Sequence, residues 1–459
     1  MRNLVAGAVL FTFFLVFHQN ARAQALRAGA AKVDITPGPD VPLSGPVGGG
    51  GKATKVHDPL FARAMAIQSG ETRVVLCVCD ITMMASDLHD RIREKVYQAT
   101  GLPRPHLLVS TTHTHRAPRA VELELGVAHR RYRESLVDRV STAVIAALEN
   151  LEPALIGWAS IEKPEHCRNR RWLMKPGSLG PNPFGERTDK AAMYGGPGKN
   201  GIRVCGPVDP EMFVVSAQRP DGSQIALFAN FSIHYGAGGG GVSADYFGHF
   251  ARAVETALES PGDQPMVAMM SNGTSGDIAP GGKPDVLGRK LAESAVELVS
   301  HIDHHDSLRL VARESELPIK VRRPGEEKIA RAKSVLAGTW KKPAHKWKDK
   351  FARSALWLSK YPESLSVRLQ VIRLGDLAIA SSPCEVYAET GLAIKDASPF
   401  DATFNVSLAN GYNGYLPTPA QHALGGYTTW PAVSSCLEID AEPKIRRELI
   451  RLLKLSEKH

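Results

Sequence analysis

Residues 106–115, HLLVSTTHTH, set the reading of the whole chain. A short apolar run at 107–110 stops abruptly at two imidazoles, His113 and His115. Four or five apolar residues are too few for a buried helix and fit a strand covered on both faces. The same ending recurs along the sequence. VVLCVCD closes at Asp80, QIALFANFSIH at His234, LAIASSPCE at Glu385, and TFNVSLANGYNGY at Tyr412 and Tyr415, while MVAMMSNGTSGD runs into a Gly/Ser/Asp turn. Strands are expected at 74–80, 107–110, 224–231, 266–270, 367–372, 377–381 and 404–407. Helices are expected at 86–100, 132–150, 248–260, 284–302 and 443–455. This alternation predicts an α/β fold, a mixed β-sheet core flanked by helices. Its site is expected at the carboxyl ends of the strands, where α/β sheets bind ligands.

Composition excludes several classes. The chain has 459 residues, 43% hydrophobic and 22% charged, which rules out a disordered, collagen-like or coiled-coil protein. A chain of this length can bury a large core without staples. Six Cys exclude a disulfide scaffold, and Cys77 and Cys79, alternating within an apolar strand, read as core. Residues 1–23 have the form of a secretory signal peptide, with Arg2, an apolar run at 4–17 and Ala21-Arg22-Ala23 before the expected cleavage. The expected layout is a signal peptide at 1–23 and one catalytic unit at 24–459, exported to the periplasm or outside.

The net charge is +9, and residues 321–360 alone carry twelve Lys/Arg against three acids, with Trp340, Trp347 and Trp357. This basic stretch, about 322–360, interrupts the strand–helix rhythm as an insertion. It reads as a solvated helical segment with its Trp turned inward, or as a peripheral contact for an anionic lipid surface or acidic polymer. Nucleic acid is not an expected partner of an exported chain. The glycine-rich GPVGGGGKAT at 45–54 is not a phosphate loop, since Ala53 stands where Ser or Thr is required. The sequence has neither H-E-x-x-H nor G-x-S-x-G.

In His113-Thr114-His115 the i, i+2 spacing places both imidazoles on one face of an extended segment. Zinc takes imidazole nitrogen and carboxylate oxygen, and a catalytic zinc keeps one position open. The alternative is a pair of hydrogen-bonded loop histidines. His234 alone also fits a capping histidine, and Glu385 alone fits a carboxylate at a helix start. Spacing cannot assemble residues that lie between 113 and 385.

The order of the short motifs does more. STTHTHRAP at 110–118, CRNRRW at 167–172, the stretch from Asp209-Pro-Glu-Met to His234, Pro383-Cys-Glu385, Tyr412-Asn-Gly-Tyr415 and the following Tyr427 together resemble the neutral/alkaline (non-lysosomal) ceramidase family, in its N-terminal catalytic domain. The similarity spans about residues 26–435. It implies a Zn2+ site with His113, His234, Glu385 and Tyr415 as ligands, and His115, Arg170 and Tyr427 around the reaction centre. It further implies hydrolysis of an N-acyl amide in a ceramide-like lipid. Asp277 and Asp80 are then candidates to orient the histidines. Two departures stand out. The family's G-D-V-S-P turn here is Gly276-Asp277-Ile278-Ala279-Pro280, with Ala279 in place of the serine. No counterpart of the family's C-terminal β-sandwich domain is expected. These departures leave open a zinc hydrolase of another amide or ester, or a non-catalytic lipid- or glycan-binding protein. The sequence does not reveal the oligomeric state.

Overall fold

The computed structural model describes residues 25–45, 49–121, 126–193, 196–236, 240–259 and 265–458. The signal-peptide reading of 1–23 and positions 46–48 of the glycine-rich segment lie outside them.

Three sheets carry the fold. The first orders its strands Leu107–Thr111, Thr72–Cys79, Phe61–Ser69, Leu26–Asp34 and Glu152–Pro153. The second runs Val267–Asn272, Gln224–Phe231, Glu211–Gln218, Leu155–Glu162 and His304–His305; the third runs Leu310–Lys320, Ser364–Leu374, Leu377–Ser381 and Ala402–Val406. Each is antiparallel except for a single parallel pair at one edge, formed by Thr72–Cys79 with Leu107–Thr111, by Gln224–Phe231 with Val267–Asn272, and by Leu377–Ser381 with Ala402–Val406. These pairs are the near-continuous apolar runs of the sequence. They are apolar throughout because both faces are covered.

The inner faces of the three sheets share one core. It includes Met65 and Leu76 of the first, Phe213, Phe228 and Met269 of the second, and Ile379 and Phe404 of the third. The outer faces are closed by helices. Ser86–Thr100 and Gly126–Glu149 cover the first sheet, Asp245–Ala257 and Pro284–Val299 the second, and Ala441–Glu457 the third. The α/β class, mixed sheets and flanking helices are as expected. Cys77 and Cys79 are fully buried on the helix-covered side. Among the described residues, no helix is long and apolar enough to cross a membrane.

The registers decide where the site forms. Thr111 pairs with Cys79, Asn272 with Phe231, and Val406 with Ser381, so each parallel pair ends level and releases two loops side by side. The loops then bond across sheets. Asn410 N–H donates to Val109 O (2.8 Å), Ser407 N–H to Asn272 O (2.9 Å) and Gly276 N–H to Val386 O (2.7 Å). The carboxyl ends of the three parallel pairs therefore meet in one place.

The insertion folds as a helical hairpin, Glu326–Leu336 and Lys348–Leu358, held by Ala332, Val335, Ala352 and Ala355. Its Lys side chains point mostly outward, and Trp340, Trp347 and Trp357 are half-buried.

Candidate metal centre and active site

All seven residues singled out in the sequence gather at this junction. His113 and His115 follow strand Leu107–Thr111, His234 follows Gln224–Phe231, and Glu385 and Tyr415 face each other in a short parallel pair. Arg170 lies just past strand Cys167–Asn169, which pairs with Ile278–Pro280 and fixes the Arg170 N–H on Asp277 O (2.8 Å).

The local backbone differs from the extended H-x-H expected from spacing. The strand ends at Thr111, and His113 has φ 65°, in the left-handed region. That turn is uncommon for a residue with a side chain. Here the His113 N–H donates to Ile81 O (3.1 Å) and Nδ1 meets Thr82 O at 2.8 Å, which holds the turn in place. His115 Nδ1 meets Gly45 O at 2.7 Å. A carbonyl only accepts, so both Nδ1 atoms carry a proton and each ring turns its Nε2 toward the site. Those two Nε2 atoms lie 3.3 Å apart.

Asp80 and Asp277 do not orient the histidines. Asp80 pairs with buried Arg63 and accepts from Phe61 N–H. Asp277 accepts from Asn169 Nδ2 (2.7 Å) and from Ala388 N–H (3.0 Å), tying the Arg170 segment to a helix start. Backbone carbonyls take the orienting role. They have no residue-type signature, and the sequence reading missed them for that reason. It also missed Tyr235, whose ring stacks on His115 at 3.7 Å and 11°.

Glu385 is buried, 4% exposed. Its Oε1 accepts from Tyr412 Oη (2.9 Å), while Oε2 has no hydrogen bond and lies 3.3 Å from His113 Nε2. Burial pushes its pKa upward, but His113, Arg170 and the Tyr415 hydroxyl outweigh that and hold it below the usual carboxylate range. Burial, then Glu385, holds Tyr412 well above the usual phenol range, so it donates. His234 is depressed by burial first and Arg170 second, and His115 by burial first and His113 second. Both imidazoles are therefore neutral at pH 7. Arg170 Nη2 is anchored on Gly276 O (2.8 Å) and reaches His234 Nε2 (3.3 Å) and Tyr415 Oη (3.5 Å). The Tyr427 ring sits 5.9 Å from that of Tyr415.

This donor set fits a metal ion. Ligand atoms of His113, His115 and His234 lie within 4.8 Å of one another. The neutral imidazoles of His115 and His234, the His113 ring and the buried Glu385 carboxylate converge there, an arrangement that a cation would stabilise. Nitrogen and oxygen donors together suit zinc. Backbone shape adds a constraint, since a Cβ on Gly276 would come within 2.5 Å of Glu385 O.

Comparison with known proteins bears on the fold and the family. The fold is similar to a crystal structure of neutral ceramidase from Pseudomonas aeruginosa, with TM-score 0.69 and 18% identity over 95% of this chain and 75% of that one. It is also similar to a ceramidase complexed with C2, with TM-score 0.67 and 16% identity over 95% of this chain and 76% of that one. A search among curated proteins finds no match. The family profile described as neutral/alkaline non-lysosomal ceramidase, N-terminal, matches residues 26–295. The chain belongs to the neutral/alkaline non-lysosomal ceramidase family.

Proposed function

We propose that this protein is a zinc-dependent amidohydrolase that cleaves the N-acyl bond of a ceramide-like lipid. One observation carries the reading: the buried Glu385 Oε2 lies 3.3 Å from His113 Nε2, beside the neutral imidazoles of His115 and His234. The family and the fold support an amide substrate. His113, His234, Glu385 and Tyr415 would hold the zinc. When bound, it would supply Lewis acidity and lower the pKa of a water toward ~7.

The chain's own groups supply the rest. His115 is held neutral and oriented by Gly45 O, so its Nε2 can take a proton from the attacking water and pass it to the leaving amine. Arg170 and Tyr427 are the donors for the oxyanion that develops on the acyl carbonyl, and losing one such donor typically costs about 100- to 1000-fold in rate. Glu385 remains ionised, with Tyr412 holding its other oxygen. None of these steps uses a hydroxyl at position 279. Ala279 lies in strand Ile278–Pro280, opposite Arg168. Export through the 1–23 segment is part of the same proposal and matches a lipid substrate outside the cytoplasm.

The test is fatty-acid release from an N-acylsphingosine by purified residues 24–459, zinc-loaded and chelator-stripped. Release that requires zinc is expected. Retained zinc without release would transfer the site to other amides or esters. Tight lipid binding without turnover on any amide or ester would make the protein a binder.

A further inference from the structure

Arg170 and Arg171 join the short strands Cys167–Asn169 and Trp172–Met174, and their side chains part. Arg170 goes to the imidazoles. Arg171 goes the other way and is fully buried, at 0% exposure. Its Nε donates to Gln421 Oε1 (3.1 Å), Nη1 to Thr428 Oγ1 (3.0 Å), and Nη2 to Gln421 O (3.3 Å) and Gly425 O (2.9 Å). The guanidinium also sits 5.7 Å from the Tyr387 ring centroid. Every one of these acceptors is a neutral oxygen, and they bracket Tyr427 from both sides in sequence.

Burying a cation without a bonded carboxylate is expensive, and the arrangement persists only with its donors satisfied. The segment it satisfies has little regular structure. Helix Pro419–Leu424 ends in Gly425 and Gly426, at φ 71° and 93°, before the single turn Tyr427–Thr429. Two successive left-handed glycines make a soft joint, and one guanidinium bonds on both sides of it.

We propose that Arg171 is a positioning residue for Tyr427, fixing the phenol over the reaction centre through the Gln421–Thr428 segment. The kinetic part of this proposal rests on the amidohydrolase reading; the structural part does not.

The experiment combines a double-mutant cycle with a spectroscopic readout. Arg171→Met, Arg171→Lys and Thr428→Val are made in the full chain, alone and with Tyr427→Phe. In the wild-type background Arg171→Met is expected to lower kcat by up to about 100-fold with KM and bound zinc little changed, and Arg171→Lys to recover part of it. With Tyr427→Phe already present, Arg171→Met should change kcat by less than about twofold. Full multiplication of the two losses would overturn the proposal. In 3-fluorotyrosine-labelled protein, the 19F resonance that disappears in Tyr427→Phe belongs to Tyr427. It should shift or broaden in Arg171→Met and in the milder Thr428→Val, whereas an unchanged resonance in both would overturn the proposal. Should wild-type protein cleave no amide, the function falls and the 19F result still decides the role of Arg171.

Discussion

His113 shows how the site is set at the level of single residues. Its φ of 65° turns the chain out of the strand, and two carbonyls, Thr82 O and Gly45 O, then fix the tautomers of His113 and His115. The sequence marked both histidines but implied an extended backbone, because i, i+2 spacing carries no information about a left-handed turn. His115 separates ligation from catalysis. His115→Ala is expected to keep zinc and lose at least about 100-fold in kcat, since a positioned proton-transfer group contributes roughly 100- to 10,000-fold. Metal content and steady-state kinetics on the same sample check this. Loss of the zinc would place His115 among the ligands.

At the level of elements, site residues were legible wherever an apolar run ended in a polar group. Strands Gln224–Phe231 and Leu377–Ser381 fall where expected because both are buried along their whole length. Strands such as Leu310–Lys320 were not legible, since Arg313, Glu314 and Glu316 interrupt it and most of its positions are only half-buried or exposed. The insertion was legible as helical and basic, but its place was not. Phe351 packs on Trp430 at 5.2 Å and Trp347 on Tyr427 at 5.4 Å, so the hairpin backs the segment that carries Tyr427. Those contacts join residues about 80 apart, beyond any local pattern. Phe351→Ala should therefore loosen the hairpin at a cost of about 3 kcal/mol or more. Limited proteolysis should cut between 326 and 358 sooner than in wild type, with kcat reduced. An unchanged cleavage rate would show that the docking contributes little.

For the whole molecule, three sheets around one core place distant loops within bonding distance, which explains why residues 113 to 427 assemble a single site. The sheet order that achieves this was not legible, because an apolar run shows that a strand is covered on both faces but not which strand it pairs with. Burial also sets the response to acid. His89 is fully buried, and burial first, then Arg93 and Arg368, lower its pKa to about 3 from an ordinary 6.5. The unfolded chain takes up that proton below pH 6.5, whereas the folded protein resists it until about 3. Stability is therefore expected to fall as pH drops through this window. His89→Gln should flatten the decline between pH 6.5 and 3 relative to its own stability at pH 7. Chemical denaturation at several pH values measures it, and an unaltered slope would assign the acid lability to the other buried histidines.

The most direct test of the central claim is the metal content of the purified protein, measured by elemental analysis beside His113→Ala, His234→Ala and Glu385→Gln. One equivalent of zinc in the wild type, lost in the two histidine variants and weakened in Glu385→Gln while all remain folded, is the predicted result. A wild type that holds no metal after zinc loading, or a His234→Ala variant that keeps a full equivalent, would contradict it.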